Sequence, residues 1–541
     1  MAASPVRGAR DVPMNKSILV VALAFACKPK PVADVAIVDT DVAERGGCPV
    51  DDGAYDDLAQ LFEDDRKNWD APGRTVAVFK DGEILWCAGL GSPNPKKKSE
   101  EMDPEALFRI ASITKPITAI GVLQEVEKGT LDLNDTVPSI IGDWDFSKNQ
   151  GWAEGMTVAH LLTQEAGIFD HLTIEGPTNK KALEDFVETE LVRDWFMLAS
   201  PGLMWNYSND NFVVAGRLME IADGRSYSDK ITEDVLLPLG MDRTFFDPDD
   251  VLDDGNYVEA MGYDWDGVAS ERRVKPDSYD NGWARPAGYA WSSVADLARM
   301  GMWVMDGDEA ILGDELRNEM QEPMADLLMP KPGISAYGYG WFSDVGIQTT
   351  DGLIEVPTVY HMGDMPGFAA DLYLYPGENL GIAVLTSADA AHAGPDVLAE
   401  AVATFTELPG PVDMGIDVTD MDLTRYEGEF DDQYTVGRME FYVDGDALKI
   451  DLPEMDAMGL AYGRTLIPFG PDNFYINIFG YYLQLTFIEE DGEYRWARNR
   501  YFVGEAEGGD APNARVHQPD PIRLLERLER LGPARRSPFG R

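Results

Sequence analysis

The sequence predicts a mixed α/β chain that ends in an all-β module, and three observations carry that expectation. Apolar residues recur at spacings of three and four over Ile113, Ile117, Ile120, Leu123 and Val126, and again over Phe212, Ala215, Leu218 and Ile221, the period of an amphipathic helix. Strand-like runs accompany these helices: residues 75–79 and 84–87 flank the hairpin signal Lys80-Asp81-Gly82. Beyond Pro409-Gly410-Pro411 only short strands follow, at 439–443, 448–450, 474–477 and 481–487, parted by turn residues such as Asp444-Gly445-Asp446. Regular short strands of this kind suggest a small barrel or sandwich.

With 541 residues the chain is long enough for more than one domain, and 44% hydrophobic content supports a large core. The formal net charge is −51, from 45 basic and 96 acidic residues, which argues against a nucleic-acid partner because phosphate neutralisation needs a basic face. The charge reads as a heavily solvated surface suited to salty surroundings, with an acidic field that steers a substrate as the alternative.

The N-terminus carries an export signal. After Met14, an alternative start, Asn15-Lys16 gives a short basic opening and residues 17–26 an apolar stretch. It is too short to span a bilayer and suits a signal-peptide core over residues 1–27. Ala24-Phe25-Ala26-Cys27 resembles a bacterial lipoprotein cleavage box, with alanine where leucine is usual and Leu23 one place early. That resemblance implies a lipidated Cys27 and an anchored protein of the cell envelope, in the periplasm or at the outer membrane. An ordinary secretory signal is the other reading. In an exported chain Cys48 and Cys87 are the remaining cysteines, in a compartment that permits a disulfide; two unrelated thiols are the alternative. Residues 28–50 read as a tether, 51–408 as the main domain, 412–503 as the β-rich domain and 504–541 as a loose basic tail with an amphipathic piece at 522–531.

The chemistry centres on Phe108-Arg109-Ile110-Ala111-Ser112-Ile113-Thr114-Lys115. Ser112 and Lys115 stand three apart at the head of a helix, so hydroxyl and amine share a face. Pro116 falls within the first turn, where its missing N–H does least harm. A serine hydroxyl needs a base to become a nucleophile, and a lysine can serve once desolvation lowers its pKa. A second pair, Tyr207 and Asn209, lies where a loop enters the helix at about 211–222. A third element, His361-Met362-Gly363-Asp364, precedes Gly367-Phe368 and two strands at 370–375 and 382–386. Tyr-x-Asn recurs at Tyr279 and Tyr475 and His-x-Gly at His392, but without the same following elements. His160 sits in an apolar setting and reads as a packed histidine. Residues 247–275 are acidic and irregular, either a lid or an insertion.

These three elements, in this order, resemble the serine β-lactamase and penicillin-binding-protein superfamily, and most closely its class C β-lactamase-like branch of esterases, D-alanyl-D-alanine carboxypeptidases and D-aminopeptidases. The likeness covers about residues 53–408 and includes flanks at Leu161-Leu162-Thr163, Pro201-Gly202 and Pro286-Ala287-Gly288. It implies an antiparallel sheet flanked by helices beside a helical subdomain, with the site between them. It further implies Ser112 as acylated nucleophile, Lys115 and Tyr207 sharing proton transfer, Tyr207 protonating the leaving group, and Asn209 bonding Lys115 and substrate. The backbone N–H groups of Ser112 and Asp364 would form the oxyanion hole beside Gly363. His361 stands where relatives carry lysine. A neutral histidine offers no fixed cation for a penicillin-like carboxylate, so small esters, amides or peptides become the expected substrates. No cofactor or metal is implied. The β-rich domain resembles lipocalin-like modules appended to such hydrolases; it either shapes the cleft rim or packs against the main domain. The rival readings are a non-catalytic envelope protein that binds peptidoglycan or a partner, and a true β-lactamase. The oligomeric state is open.

Overall fold

An eight-stranded antiparallel sheet organises the first part of the computed structural model, which describes residues 47–50, 53–142, 151–171, 173–191, 196–262, 272–330, 335–506 and 519–529. Its strand order is Glu83–Gly91, Gly73–Lys80, Leu380–Thr386, Phe368–Tyr375, Thr358–Met365, Phe342–Asp344, Ala336–Tyr337 and Ala325–Asp326. The hairpin signal at Asp81-Gly82 becomes a turn with both residues at positive φ, 52° and 81°, the backbone that a tight two-residue hairpin needs.

Side chains alternate across this sheet. Val76, Val78, Ile382 and Val384 face one layer with Leu58 and Phe62 of helix Asp56–Asn68 and Leu398 and Val402 of helix Pro395–Ala403. Ala77, Phe79, Ala383 and Leu385 face the other, which holds the main core and helix Val294–Asp306. Gly301 on that helix lies so close to the sheet that a Cβ would come within 2.6 Å of the Phe79 ring. The helical subdomain builds on the same core. Its central helix, Thr114–Glu127, is buried from Thr114 through Glu125 and packs on helix Asn209–Asp223. The site lies where these two helices pack together and the turn Ala111–Ile113, at the head of the first, meets strand Thr358–Met365.

The second eight-stranded antiparallel sheet runs in the order Ala447–Asp451, Arg438–Asp444, Gly428–Asp431, Phe502–Ala506, Glu493–Asn499, Tyr481–Glu490, Asn473–Ile478 and Ile467–Gly470. It curls until its ends meet: Ile450 N–H donates to Arg464 O at 2.8 Å and Leu466 N–H to Leu448 O at 3.0 Å, closing most of a barrel. Barrel and first sheet belong to one compact unit, Gly46–Arg541. Phe169, Phe196, Leu198 and Met204 share an apolar cluster with barrel residues, and Phe196 stacks on Tyr434 at 4.3 Å.

Several expectations change. The stretch from 504 does not begin a loose tail: Phe502–Ala506 is a barrel strand, and helix Pro521–Glu529 buries Leu524 and Leu528 in the barrel's apolar cluster. Gly504 weakened the strand signal; in the strand its missing side chain leaves room for Met439, whose Cε lies 2.0 Å from where a Cβ would stand. His361-Met362-Gly363-Asp364 precedes the two expected strands and itself lies on a further one, Thr358–Met365. Within 247–275 the described parts form helix Pro248–Asp254 and a small hairpin of Ala260–Gly262 and Arg272–Val274. The signal segment, Cys27 and the tether to residue 46 lie outside the described residues.

Cys48 and Cys87 are joined in a disulfide with Cα atoms 5.5 Å apart. A buried ion pair ties the first helix to the sheet. Arg74, with no exposed surface, pairs with Asp65 and donates from Nε to Thr386 Oγ1 at 2.9 Å and from Nη2 to Ala391 O at 3.0 Å. Removing one member strands the other charge in the interior. Asp65→Ala is therefore expected to destabilise the fold by about 3 kcal/mol, read as a lower urea midpoint; an unchanged midpoint would contradict the assignment.

Candidate active site

The turn that carries Ser112 is built under strain. Ala111, just before Ser112, holds φ +45°, a left-handed conformation that costs a residue with a Cβ about 1 kcal/mol. The turn 111–113 is a short 3-10 segment leading into the helix, and Thr114 Oγ1 donates back to Ala111 O at 2.6 Å. Ser112 is half-buried and reachable, while Lys115 below it has no exposed surface.

Lys115 Nζ has three partners: Ser112 Oγ at 3.0 Å, Asn209 Oδ1 at 2.7 Å and Ala287 O at 2.7 Å. The rings of Tyr207 and Phe212 lie 4.9 Å and 5.8 Å from it. Burial holds its pKa well below the ordinary lysine range; the carboxylates of Asp170 and Asp210 oppose that shift, and Arg500 adds to it. Asn209 begins helix Asn209–Asp223, whose N-cap Ser208 accepts from Asp210 N–H at 3.2 Å. Asn209 turns Oδ1 to the amine and Nδ2 to Asp170 Oδ1 at 3.0 Å, the one orientation that satisfies both neighbours.

The Tyr207 phenol sits beside Ser112, whose side chain favours its ionised form, and its ring faces Phe342 in a stacked arrangement with centroids 6.4 Å apart. Burial pushes its phenol pKa up, while the Arg500 guanidinium pulls the other way. The three predicted residues Ser112, Lys115 and Tyr207 therefore meet, with Asn209 beside them.

Gly363 abuts the nucleophile turn. A Cβ there would fall 2.2 Å from Ile110 O and 2.9 Å from Ser112 N, so only glycine lets the strand lie this close to the Ser112 N–H. Asp364 follows at the edge, with its carboxylate 3.2 Å from His392 Nε2. His392 also holds the buried Asp371 through Nδ1 at 2.7 Å. Burial opposes protonation of His392, but the two carboxylates outweigh it and push its pKa up to about 10.

His361 does not face a substrate as an open polar group. It is 1% exposed, with Nδ1 2.7 Å from Met362 O and Nε2 3.0 Å from Tyr337 OH. The carbonyl can only accept, so Nδ1 carries the proton and Nε2 accepts from the tyrosine. Burial, with Lys115 nearby, lowers its pKa to about 3. His160 is half-exposed rather than packed inside; its Nδ1 accepts from Thr157 N–H at 3.2 Å and caps a short helix.

Sequence reasoning missed three parts of this site. Asp170, fully buried, lies behind Asn209. His392, set aside as a chance repeat of the third motif, anchors Asp364. Arg500 comes from the barrel, at the tip between strands Glu493–Asn499 and Phe502–Ala506, and places its guanidinium 4.6 Å from the Tyr207 ring centroid while pairing with Asp170. The one available signal was Arg498-Asn499-Arg500, a basic pair in a strongly acidic chain. Among the described residues no group of three or more His, Cys, Asp and Glu side chains is arranged to hold a metal ion.

The family model named Beta-lactamase matches residues 58–405. The protein flp of Staphylococcus aureus strain N315 is 27% identical over 338 residues, covering 62% of this chain and 63% of that protein. The unguisins hydrolase ungD' of Aspergillus campestris is 28% identical over 363 residues, covering 64% of this chain and 63% of that one. The chain thus spans less than two thirds of the length of these relatives. The octameric penicillin-binding protein homologue from Pyrococcus abyssi shares the fold with a TM-score of 0.56 at 24% identity, over 84% of this chain and 100% of that one.

The close fit at Gly363 is testable. Gly363→Ala is expected to slow labelling of Ser112 by a fluorophosphonate by roughly a hundredfold, the scale of losing one oxyanion donor, in a protein that stays folded. Labelling at the wild-type rate would contradict the fit.

Proposed function

The chain belongs to the β-lactamase family of serine hydrolases, and on that premise we propose that it cleaves an ester or amide bond through an acyl-enzyme on Ser112. The observation that carries the reading is the buried Lys115 amine 3.0 Å from the Ser112 hydroxyl. As a neutral amine it donates two protons to Asn209 Oδ1 and Ala287 O, and its lone pair meets the Ser112 O–H.

In the first step the Ser112 proton passes to Lys115 or Tyr207 as Oγ bonds to the substrate carbonyl carbon. The carbonyl oxygen becomes an oxyanion held by the N–H groups of Ser112 and Asp364; one such donor is worth about 3 kcal/mol in the transition state. The tetrahedral intermediate then collapses. The bond to the leaving group breaks and Tyr207 supplies that group's proton, either the one taken from Ser112 or its own, which the Lys115 ammonium then replaces, while Ser112 keeps the acyl group. Water enters by the same route in reverse, giving the acid and the free hydroxyl.

The substrate proposed is a small ester, an amide or a peptide. The neutral, fully engaged His361 offers no charge for a penicillin-like carboxylate, so β-lactam hydrolysis is expected to be weak. The unguisins hydrolase among the relatives agrees with a hydrolytic reaction. Work outside the cytosol, with anchoring through Cys27, is proposed with it; the Cys48–Cys87 disulfide supports an oxidising compartment. A purely binding role would leave the burial of Lys115 beside Ser112 without a use.

Ser112→Ala is expected to abolish hydrolysis of a p-nitrophenyl ester while leaving the thermal transition unchanged, and intact-mass measurement is expected to find a fluorophosphonate adduct on the wild type alone. Full ester turnover by the folded variant would rule out the acyl-enzyme.

A further inference from the structure

We propose that Arg500, brought to the cleft by the last hairpin of the barrel, is a positioning residue for Lys115 and Tyr207, acting by balancing the buried charge of Asp170. The proposal rests on the acyl-enzyme reading. A continuous path of side chains joins barrel to nucleophile: Arg500 pairs with Asp170, Asn209 Nδ2 donates to Asp170 Oδ1 at 3.0 Å, and Lys115 Nζ lies 2.7 Å from Asn209 Oδ1 and 3.0 Å from Ser112 Oγ.

Charge accounting decides what this path does. Asp170 and Lys115 have no exposed surface and Asn209 only 5%. An ionised carboxylate so placed demands a cation. If no other were available, Lys115 would serve, and an ammonium has no lone pair for the Ser112 proton. Arg500 cannot lose its own proton, so it takes the carboxylate and leaves the lysine free to be neutral.

The other charged or titratable groups facing Lys115 do not take over this task. His361 is neutral, and Tyr207 is held as the phenol by burial. Asp210, itself fully buried, accepts from His171 N–H at 2.6 Å and lies 3.6 Å from the His171 ring. The barrel is fixed where it must be for Arg500 to reach in. Arg498, 4% exposed, donates to Trp205 O at 2.8 Å and Leu327 O at 2.9 Å, and Asn206 Nδ2 donates to Arg500 O at 3.1 Å. These contacts grip the segment that carries Tyr207.

The sign of the test follows. Arg500→Gln removes the guanidinium paired with the Asp170 carboxylate, which favours protonated Lys115 and raises the acid limb of the kcat/KM–pH profile. Asp170→Asn leaves Arg500 positive and uncompensated, which lowers that limb. Each shift is expected to be roughly one pH unit, about tenfold in rate below the limb. Arg500→Lys, which keeps the charge, and the double variant Arg500→Gln/Asp170→Asn, which removes both charges, are expected near the wild-type position. The profile is measured on the full chain with a p-nitrophenyl ester, or as the rate of fluorophosphonate labelling of Ser112. If one single variant fails to fold, the other still decides, because the two move the limb in opposite directions. Limbs that stay at the wild-type pH in the folded single variants overturn the proposal, whatever happens to the absolute rate. A wild type that neither turns over nor is labelled at Ser112 overturns the acyl-enzyme reading and this one with it.

Discussion

A lysine ammonium has no comfortable place in a protein interior, and the active site depends on how this chain buries one. Lys115 loses all contact with bulk water, and the loss disfavours its charged form. Every neighbour can be read against that constraint. Asn209 and Ala287 accept its N–H groups, so burial leaves no orphaned donor. The remaining position faces Ser112. The strained turn at Ala111 and the glycine at 363 then bring the hydroxyl and the Ser112 N–H to the edge of a strand, where a reacting carbonyl can sit.

The second half of the chain enters through electrostatics rather than through a motif. A buried carboxylate at Asp170 fixes Asn209, but its charge endangers the neutrality of the lysine. The barrel resolves the conflict by supplying a guanidinium that is always charged. The module is thus not a passive neighbour. Its apolar cluster shares Phe196 and Phe169, the residue before Asp170, with the hydrolase part. Its last hairpin reaches the face of Tyr207. Both alternatives for the β-rich region therefore hold in part: it packs against the main fold, and it shapes the site.

What could be read from the sequence was local. The Ser112–Lys115 spacing was legible because a helix turns three-apart residues to one side, and the apolar period named the helix. Tyr207 and Asn209 were legible because the apolar period of the following helix placed them where a loop enters it. The strands of the hairpin at 73–91 followed from a two-residue turn signal. Asp170 and Arg500 left no such trace. They pair across 330 residues of chain, and nothing within a few positions of either records the other. His361 was placed by motif order, but its neutrality comes from burial under Tyr337 and Phe342, which only the packed sheet provides. The final barrel strand was lost because Gly504 reads as a turn residue, whereas here it makes room for Met439.

The ionisation of Lys115 itself is the most direct measure of this account. NMR of protein labelled at lysine Cε and Nζ, with the signal assigned through Lys115→Arg, reports the titration of that single amine in the resting enzyme. The expected midpoint lies well below the ordinary lysine value of about 10.4. A midpoint at or above that value would mean that the buried amine is a permanent cation, and the proposed route for the serine proton through it would be wrong.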